Sequence, residues 1–513
     1  MAADPALDLP PARSAPPAGS GEGLRALHPV GPIAAPRPRE VGRPREVGRP
    51  RETAGLREVG RPREVGRPRE VGRPREAAGP REAARALRGA RSLDLTRDPG
   101  AVTAVRAPGR RRAVLALLGP AFVAAVAYVD PGNFATNFSA GAKFGYTLAW
   151  VVVLANLMAM LVQYLSAKAG VATGRDLPEL CRAHLPRALS LGLWAQAELV
   201  AMATDLAEFV GAAIGLNLLF GLPLLPAGLI TAVVAFGILA MEQRGYRRFE
   251  LAIAALLGLV FLGFVYDLAA AGASPAGIAV GLVPGLGGGS RLLLVVGIIG
   301  ATVMPHVVYL HSALTKSRTA CRDDAERRRL VRFQRLDVVI ALGAAGLVNL
   351  AMLFVAASLA RRSGGMGGGE SIPAAHEMLG RLAGGGAALA FAVALLASGL
   401  SSSSVGTYTG QVVMQGFLGR RIPLFLRRGL TMLPALVVLG AGLPATASLV
   451  ISQVVLSFGI PFALVPLVLL TRRADIMGPL VNRRLTTVAA TCVTVLVITL
   501  NGYLLYLTAT GQG

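Results

Sequence analysis

Long apolar runs separated by short polar connections fill the chain from about residue 113 onward. Three of them read "AVLALLGPAFVAAVAYV", "YTLAWVVVLANLMAMLVQYL" and "VTVLVITLNGYLLYL". A helix needs roughly 20 apolar residues to cross a bilayer, and the whole pattern predicts about eleven such spans. The connections are too short to cover so much apolar surface with polar residues, which argues against a soluble protein. The pattern therefore predicts an all-α polytopic membrane protein.

Residues 1–112 follow a different pattern, with 24 arginines, 13 acidic residues and few large apolar side chains. The hexapeptide "REVGRP" starts at Arg39 and Arg45, is degraded to "RETAGL" at Arg51, and is restored from Arg57 onward. A six-residue period fits neither helix nor strand, and its prolines block regular helix, so we predict a disordered basic tail. The tail either binds the anionic cytoplasmic leaflet or is a solvated extension. It has no apolar core of a secretory signal, and its glutamates argue against a transit peptide.

Positive charges between the apolar runs predict the orientation in the membrane. Alternate connections, such as "EQRGYRRFE", "GRRIPLFLRR" and "TRRADIMGPLVNRR", are rich in arginine, whereas "AGASPAGIAVGLVPGLGGGS" and "GAGLPATA" contain no arginine or lysine. By the positive-inside rule the N-terminus is cytoplasmic and, with an odd number of spans, the C-terminus is extracytoplasmic. Arg361 and Arg362 are the main exceptions. We predict a multi-pass protein of the plasma membrane.

Cys181, Cys321 and Cys492 are too scattered for a disulfide framework or a thiolate metal site.

Two of the predicted spans are interrupted. The first contains "DPGN" at residues 130–133, and the sixth contains Pro305 in "GATVMPHVVYL". Pro131, Gly132 and Pro305 each disfavour continuous helix, and unwound backbone at membrane depth must be satisfied by protein or a watery cavity. These spans open two halves of five helices each. Interruptions at corresponding places in two halves indicate a transporter with inverted repeats and a central site.

The interruptions carry candidate metal ligands. Asp130 would cost roughly 2.5–3.5 kcal/mol at a helix centre, so it should face the protein interior. Asn133 adds an amide oxygen, and the second break frees carbonyls near Ala301. The soft thioether of Met304 would favour Mn²⁺ or Fe²⁺ over Mg²⁺ and Ca²⁺. A methionine in a membrane helix also commonly packs, so both interpretations of Met304 stand. We expect Asn137 to be an end-of-helix polar residue outside the site.

Three acidic residues of the third span, Glu198, Asp205 and Glu208, fall on one helical stripe. A line of intramembrane carboxylates suggests either a polar pathway or a salt-bridge ladder. Candidate partners are cationic or titratable side chains elsewhere in the chain: Arg427 and Arg428 of the ninth span, Arg318 after the sixth, and His306. An alternative interpretation of Arg427 is that it only marks a cytoplasmic connection. An alternative interpretation of Glu198 is that it belongs to a capped polar pair. His311 is expected to pack near a helix end.

The pair "DPGN" and "MPH" in the first and sixth spans resembles the Nramp family of proton-coupled divalent-metal transporters, in its bacterial manganese and iron branch. The stretches "TDLAEF", "LRRGLTM" and "SQVVLSFGIPF" agree with this family, and the resemblance covers roughly residues 113–510. It implies the amino-acid-symporter-like fold of two inverted five-helix repeats plus an eleventh helix. The Arg-rich tail is not part of the family pattern.

The resemblance also implies roles for individual residues. The implied metal ligands are Asp130, Asn133, Met304 and the Ala301 carbonyl, joined in some conformations by the Ala127 carbonyl and Gln453. The implied proton route contains Asp130, His306, Glu208 and Asp205, and it is completed by the arginines. Because Met304 is present, the resemblance favours transition metals over Mg²⁺ or Al³⁺.

The predicted function is import of Mn²⁺ or Fe²⁺ by proton symport with alternating access. The metal is substrate, not cofactor, and no enzyme activity, nucleic-acid partner or obligate protein partner is predicted. A sodium- or proton-coupled amino-acid symporter and a passive metal channel remain alternatives. An intramembrane aspartyl protease would need a second catalytic aspartate, for which Asp205 is the only candidate. The predicted units are the tail (1–112), the first repeat (113–285), the second repeat (286–472) and the eleventh span with the C-terminus (473–513).

Overall fold

The computed structural model describes residues 119–242, 246–285, 291–316, 321, 323–364, 371–420 and 423–510. The predicted Arg-rich tail and Arg318 lie outside these ranges. Within them the chain forms helices and turns and contains no β-strand. The part of the chain that the structure describes is therefore all-α, as predicted.

We number the α-helices in chain order: α1 (Pro120–Ala127), α2 (Pro131–Phe144), α3 (Ala149–Thr173), α4 (Leu177–His184), α5 (Arg187–Phe220), α6 (Leu224–Glu242), α7 (Tyr246–Ala271), α8 (Pro275–Gly281), α9 (Leu292–Thr302), α10 (Pro305–Lys316), α11 (Asp324–Arg362), α12 (Ile372–Leu382), α13 (Gly385–Leu418), α14 (Leu424–Gly440), α15 (Ala445–Thr471), α16 (Ala474–Met477) and α17 (Arg484–Ala509). With α1–α2 and α9–α10 each taken as one interrupted span, the described helices form eleven long segments. Eight described stretches are long and apolar enough to cross a bilayer, and the first of them, Pro131–Thr173, contains both α2 and α3. Of the others, α6 contributes a shorter apolar stretch and α14 has 17 residues.

Both predicted interruptions are present, and local sequence explains them. Helix α1 ends at Ala127, and α2 begins at Pro131, where the missing amide hydrogen costs nothing at the first helical position. The Asp130 side chain caps α2 by accepting from the Asn133 amide. In the second break Val303 leaves helical geometry (φ −99°, ψ 42°), and α10 restarts at Pro305. Proline and a capping carboxylate therefore set the two breaks.

Close helix packing around the first break depends on glycine. An ideal Cβ at Gly211 of α5 would lie 2.0 Å from the Pro131 Cβ, and one at Gly399 of α13 would lie 2.8 Å from the Ala212 Cβ. Helices α5 and α13 thus approach each other and the start of α2 more closely than larger residues would permit. This packing buries the first break inside the helical bundle.

Arg362, an exception to the charge pattern, has a structural role. Its guanidinium donates hydrogen bonds to the carbonyls of Ala271 (3.4 Å) and Leu382 (2.6 Å), which are the last residues of α7 and α12. Cations are favourable at helix C-termini, where carbonyls lack helical partners. The local stabilisation of two helix ends explains a positive charge on the predicted extracytoplasmic side.

Candidate metal site

The two interrupted spans meet at the Asn133 side chain. Its Nδ2 donates hydrogen bonds to Asp130 Oδ1 (2.7 Å) and, across to the second break, to the Ala301 carbonyl (3.0 Å). The Asn133 backbone amide also donates to Asp130 Oδ1 (2.8 Å). The structure therefore brings together three predicted site residues: a carboxylate, an amide and a freed carbonyl.

Several side chains at this junction have buried oxygen acceptors without a hydrogen-bond partner in the described structure. Among the described residues, Asp130 Oδ2, Asn133 Oδ1 and Gln453 Oε1 are buried and have no hydrogen-bond partner. Buried acceptors without a partner are costly, and a carboxylate is the costliest of them. Oxygen acceptors held in this way suit an electropositive ligand, and a divalent cation fits this donor chemistry.

Helix α15 brings Gln453 against both breaks. A Cβ at Gly132 would lie 1.9 Å from Gln453 Nε2, and a Cβ at Gly300 would lie 2.0 Å from the Gln453 carbonyl oxygen. Only glycine permits these two approaches. The Gln453 amide consequently lies beside Gly132, in the centre of the "DPGN" break.

Met304 lies between α9 and α10, is fully buried, and follows Ala301 by three residues. Ala127 is the buried last residue of α1. Ligation by the Met304 sulfur and by the Ala127 carbonyl stays a prediction. Sulfur would add the soft donor that an otherwise all-oxygen set lacks. Among the described residues no group of three or more His, Cys, Asp or Glu could hold a metal, so a site here must use mixed donors.

Two residues that sequence reasoning missed satisfy the unwound backbone. Asn349 of α11 donates to the Tyr128 carbonyl (2.9 Å), and Ser398 of α13 donates to the Val129 carbonyl (2.5 Å). Asn137 donates to Asn349 Oδ1 (3.1 Å) from the middle of α2, so its expected position at a helix end was wrong. Polar residues inside apolar runs were the available signal, but the sequence contains many of them.

The carboxylates of α5 face helices α13 and α14. A Cβ at Gly406 would lie 2.9 Å from Glu208 Oε2, which places this buried carboxylate against α13. The Arg428 guanidinium interacts electrostatically with Asp205 and Glu208, and it donates to the Ser403 carbonyl (3.0 Å) and hydroxyl (2.5 Å). A buried cation therefore accompanies two of the three predicted acidic residues.

Glu198 and Arg427 form an ion pair at 2.9 Å near one end of the same stripe. The Arg427 guanidinium also lies over Gly410 of α13, since a Cβ there would be 1.4 Å from its Nη1. This pair accounts for both residues structurally, and their part in proton transfer stays a prediction. Arg318, the third predicted cation, lies outside the described residues.

His306 links α10 to the acidic stripe. Its Nδ1 is 3.2 Å from the Thr204 hydroxyl, one residue before Asp205. Its Nε2 is buried and has no hydrogen-bond partner among the described residues. His311, which was expected to pack, instead lies 2.9 Å from Gln163, whose amide donates to the Tyr128 hydroxyl (2.6 Å). His306 thus connects α10 to α5, and His311 connects α10 through Gln163 to Tyr128 in the first break.

Two interrupted helices whose described oxygen acceptors lack partners where they meet are typical of membrane transporters with a central substrate site. Residues 121–507 match the family model described as natural resistance-associated macrophage protein-like, or Nramp. A protein named divalent metal cation transporter MntH, from Deinococcus radiodurans, is 52% identical over 395 residues, which cover 77% of this chain and 90% of that protein. The chain belongs to the Nramp family.

Solved structures agree with this assignment. A mutant of the manganese transporter of Eremococcus coleocola is 33% identical, with a TM-score of 0.68 over 76% of this chain and 86% of that one. Mhp1, a nucleobase-cation-symport-1 family transporter, is only 13% identical but has a TM-score of 0.52 over 75% of this chain and 92% of its own. The second likeness shows the fold alone. The fold is the predicted pair of inverted five-helix repeats followed by an eleventh span.

Proposed function

We propose that this protein imports divalent transition-metal ions, Mn²⁺ or Fe²⁺, across the plasma membrane by proton symport. The observation that carries the proposal is the junction of the two breaks, where Asp130 and Asn133 keep unpaired buried acceptors beside the Ala301 carbonyl. The names of the bacterial relative and of the manganese transporter with a solved structure support a divalent metal as substrate.

The metal replaces part of its hydration shell with donors from both interrupted spans. Asp130 and Asn133 bind from the first span, while the Ala301 carbonyl and the Met304 sulfur bind from the sixth. Gln453 and the Ala127 carbonyl complete the shell in other conformations. Because the donors belong to both repeats, movement of one repeat against the other opens the site to alternate sides.

Protons leave the site along α5. The double charge of the metal favours release of a proton from Asp130, toward His306 and the carboxylates Glu208 and Asp205. Arg427 and Arg428 stabilise the charged carboxylates, and Glu198 with Arg427 ends the described part of the route. No covalent bond of a substrate changes in this cycle.

Two alternative functions predict a different substrate or a different movement of protons. An amino-acid symporter of the same fold would bind a small organic substrate and would not need the Asp130 carboxylate together with the Met304 sulfur. A passive metal channel would use the same ligands but would conduct metal without moving protons. Proton flux measured during metal uptake separates these alternatives.

The test is Mn²⁺ uptake into proteoliposomes, with internal pH recorded and with Ca²⁺ and Mg²⁺ as competitors. We expect saturable Mn²⁺ uptake with internal acidification, and loss of both signals in Asp130→Ala. Glu377→Gln is the control, because Glu377 is an exposed partner of Arg381 on the predicted outer helix α12. Absence of Mn²⁺ uptake, or full uptake by Asp130→Ala, would refute the proposal. Uptake without acidification would support a channel.

A further inference from the structure

A basic groove lies away from the metal site, at the helix ends that the charge pattern assigns to the cytoplasm. It encloses about 870 Å³ between α3, α11 and the start of α17. Among the residues that the structure describes, no carboxylate lines it, and five cationic side chains do: Lys168, Arg328, Arg332, Arg335 and Arg483. The proposed transport cycle uses none of these side chains.

The cations occupy one end of the groove. Arg328, Arg332 and Arg335 are spaced four and three residues apart, so they share one face of α11 near its first turns. Arg483 lies just before α17, and Lys168 lies near the end of α3. The five cations therefore come from the ends of three helices and lie at one end of the groove.

None of the groove arginines has an ion-pair partner among the described residues, although other arginines nearby do. Arg327 pairs with Asp324 (3.6 Å), and Arg473 pairs with Asp475 (2.6 Å), but neither of these arginines lines the groove. Lys168 is 5% exposed, donates to Asn482 and lies 5.5 Å from the Tyr164 ring centre. A buried ammonium with only neutral partners, beside four unpaired guanidinium groups, favours an anionic ligand.

The other end of the groove is apolar. Val338 and Val339 continue the α11 lining beyond the arginines, and Met160 and Leu161 lie two turns before Lys168 on α3, whereas Leu485 lies two residues after Arg483. Val339 and Leu485 are 48% and 80% exposed, so the groove is open along its side. In a membrane this opening faces lipid tails. The ligand should therefore carry an anionic group at one end and a hydrocarbon chain at the other.

We propose that this groove is a binding site for one anionic glycerophospholipid. The phosphate lies among the arginines and Lys168, and an acyl chain lies along Val338 and Val339. Basic pockets between membrane helices on the cytoplasmic side bind anionic headgroups in this way. A free phosphate would leave the apolar half empty in a cavity of drug-ligand size. The N-terminal tail is a poorer occupant, since its 24 arginines exceed its 13 acidic residues.

The test is native mass spectrometry of the purified full chain, titrated with phosphatidylglycerol or with phosphatidylcholine of the same acyl chains. We expect one phosphatidylglycerol bound in preference to phosphatidylcholine. In Arg332→Gln/Arg335→Gln this preference should fall by roughly tenfold or more, given about 1 kcal/mol for each basic residue. Both arginines are exposed, so the double variant should fold.

The matched control is Arg329→Gln/Arg472→Gln, which removes two exposed arginines that do not line the groove. It should bind phosphatidylglycerol like the unmodified chain. If both double variants lost the preference for phosphatidylglycerol equally, net charge alone would explain it and the proposal would be overturned. An unchanged preference in Arg332→Gln/Arg335→Gln would overturn it too. Displacement of the lipid by glycerol 3-phosphate, which lacks acyl chains, would show a simple phosphate site and overturn it as well. Lipid binding is read without transport, so its outcome is independent of the proposed function.

Discussion

Asn133 illustrates how one side chain joins two distant parts of the sequence. Its amide nitrogen binds both Asp130 and the Ala301 carbonyl, and its oxygen is left with no partner in the described structure. The residue therefore positions a carboxylate, and its own oxygen is the metal ligand that we propose. Sequence reasoning could assign Asn133 to the site from the "DPGN" motif, but its contact with Ala301 spans 168 residues and needs the fold.

Replacement of Asn133 tests this double role. In Asn133→Ala, Asp130 loses one hydrogen bond and the metal loses one oxygen, so we expect Mn²⁺ affinity to fall on the order of 10–100-fold. The measurement is isothermal titration calorimetry on purified protein. Asn217→Ala is the control, since Asn217 donates to the Leu222 carbonyl at the end of α5, outside the site. Unchanged affinity in Asn133→Ala would contradict the ligand assignment.

We propose that the Met304 sulfur gives the site its preference for transition metals. Without its sulfur, Met304→Ala should bind Mn²⁺ more weakly, and Ca²⁺ should compete better for uptake, because the remaining donors are oxygens. The ratio of Ca²⁺ to Mn²⁺ inhibition constants measures this effect.

Met158→Ala is the matched control for Met304→Ala. Met158 is a buried core methionine on α3, so its loss should cost about 2–5 kcal/mol of stability but leave metal selectivity unchanged. If both variants kept the selectivity of the unmodified chain, Met304 would be a packing residue only.

At the scale of helices, the local sequence identifies the two breaks but not the distant residues that hydrogen-bond to their unwound backbone. Proline, glycine and the Asp130 cap all lie within the interrupted segments, so the sequence predicts both interruptions correctly. Asn349 and Ser398 satisfy the first break from 221 and 269 residues away, and no local pattern marks them. The short helix α4, which Asp176 opens with a full capping box, lies between two spans, and the pattern of apolar runs does not mark it.

Two glycines facing α15 should respond differently to the same substitution. In Gly300→Ala the new methyl would meet the Gln453 carbonyl oxygen (2.0 Å) and the Ser457 amide nitrogen (2.9 Å), which are backbone atoms. Overpacking of this kind costs about 1–3 kcal/mol, so the melting temperature should fall. In Gly132→Ala the methyl would meet the movable Gln453 side chain, so stability should change little.

The Gly132→Ala variant then tests Gln453 itself. Displacement of its amide should raise the KM for Mn²⁺, and Gln453→Ala should raise it in the same way. The double variant Gly132→Ala/Gln453→Ala should show no further loss, because both changes remove one interaction. Additive effects would mean that Gln453 and Gly132 act separately, and an unchanged KM in both single variants would exclude Gln453 from the site.

At the scale of the whole molecule, the predicted number of spans is confirmed, and one exception to the charge pattern has a structural explanation. The apolar runs predicted about eleven spans, and the described helices supply eleven long segments. Arg362 departed from the charge pattern because it stabilises the ends of α7 and α12. Such a contact between helix ends depends on packing and leaves no regular signal in the sequence, whereas the positive charges of the predicted cytoplasmic connections recur in alternate connections.

Cysteine labelling of intact cells tests the predicted orientation of the whole chain. In a background with Cys321→Ser and Cys492→Ser, the remaining Cys181 is buried. A membrane-impermeant maleimide should then label Glu377→Cys and Thr510→Cys in intact cells, because α12 and the C-terminus are predicted to lie outside. Arg473→Cys, in a predicted cytoplasmic connection, should be labelled only after permeabilisation. All three positions are exposed, so burial does not explain a difference. The reverse pattern would invert the topology, and it would place the basic lipid groove on the outer side of the membrane, away from the anionic cytoplasmic leaflet.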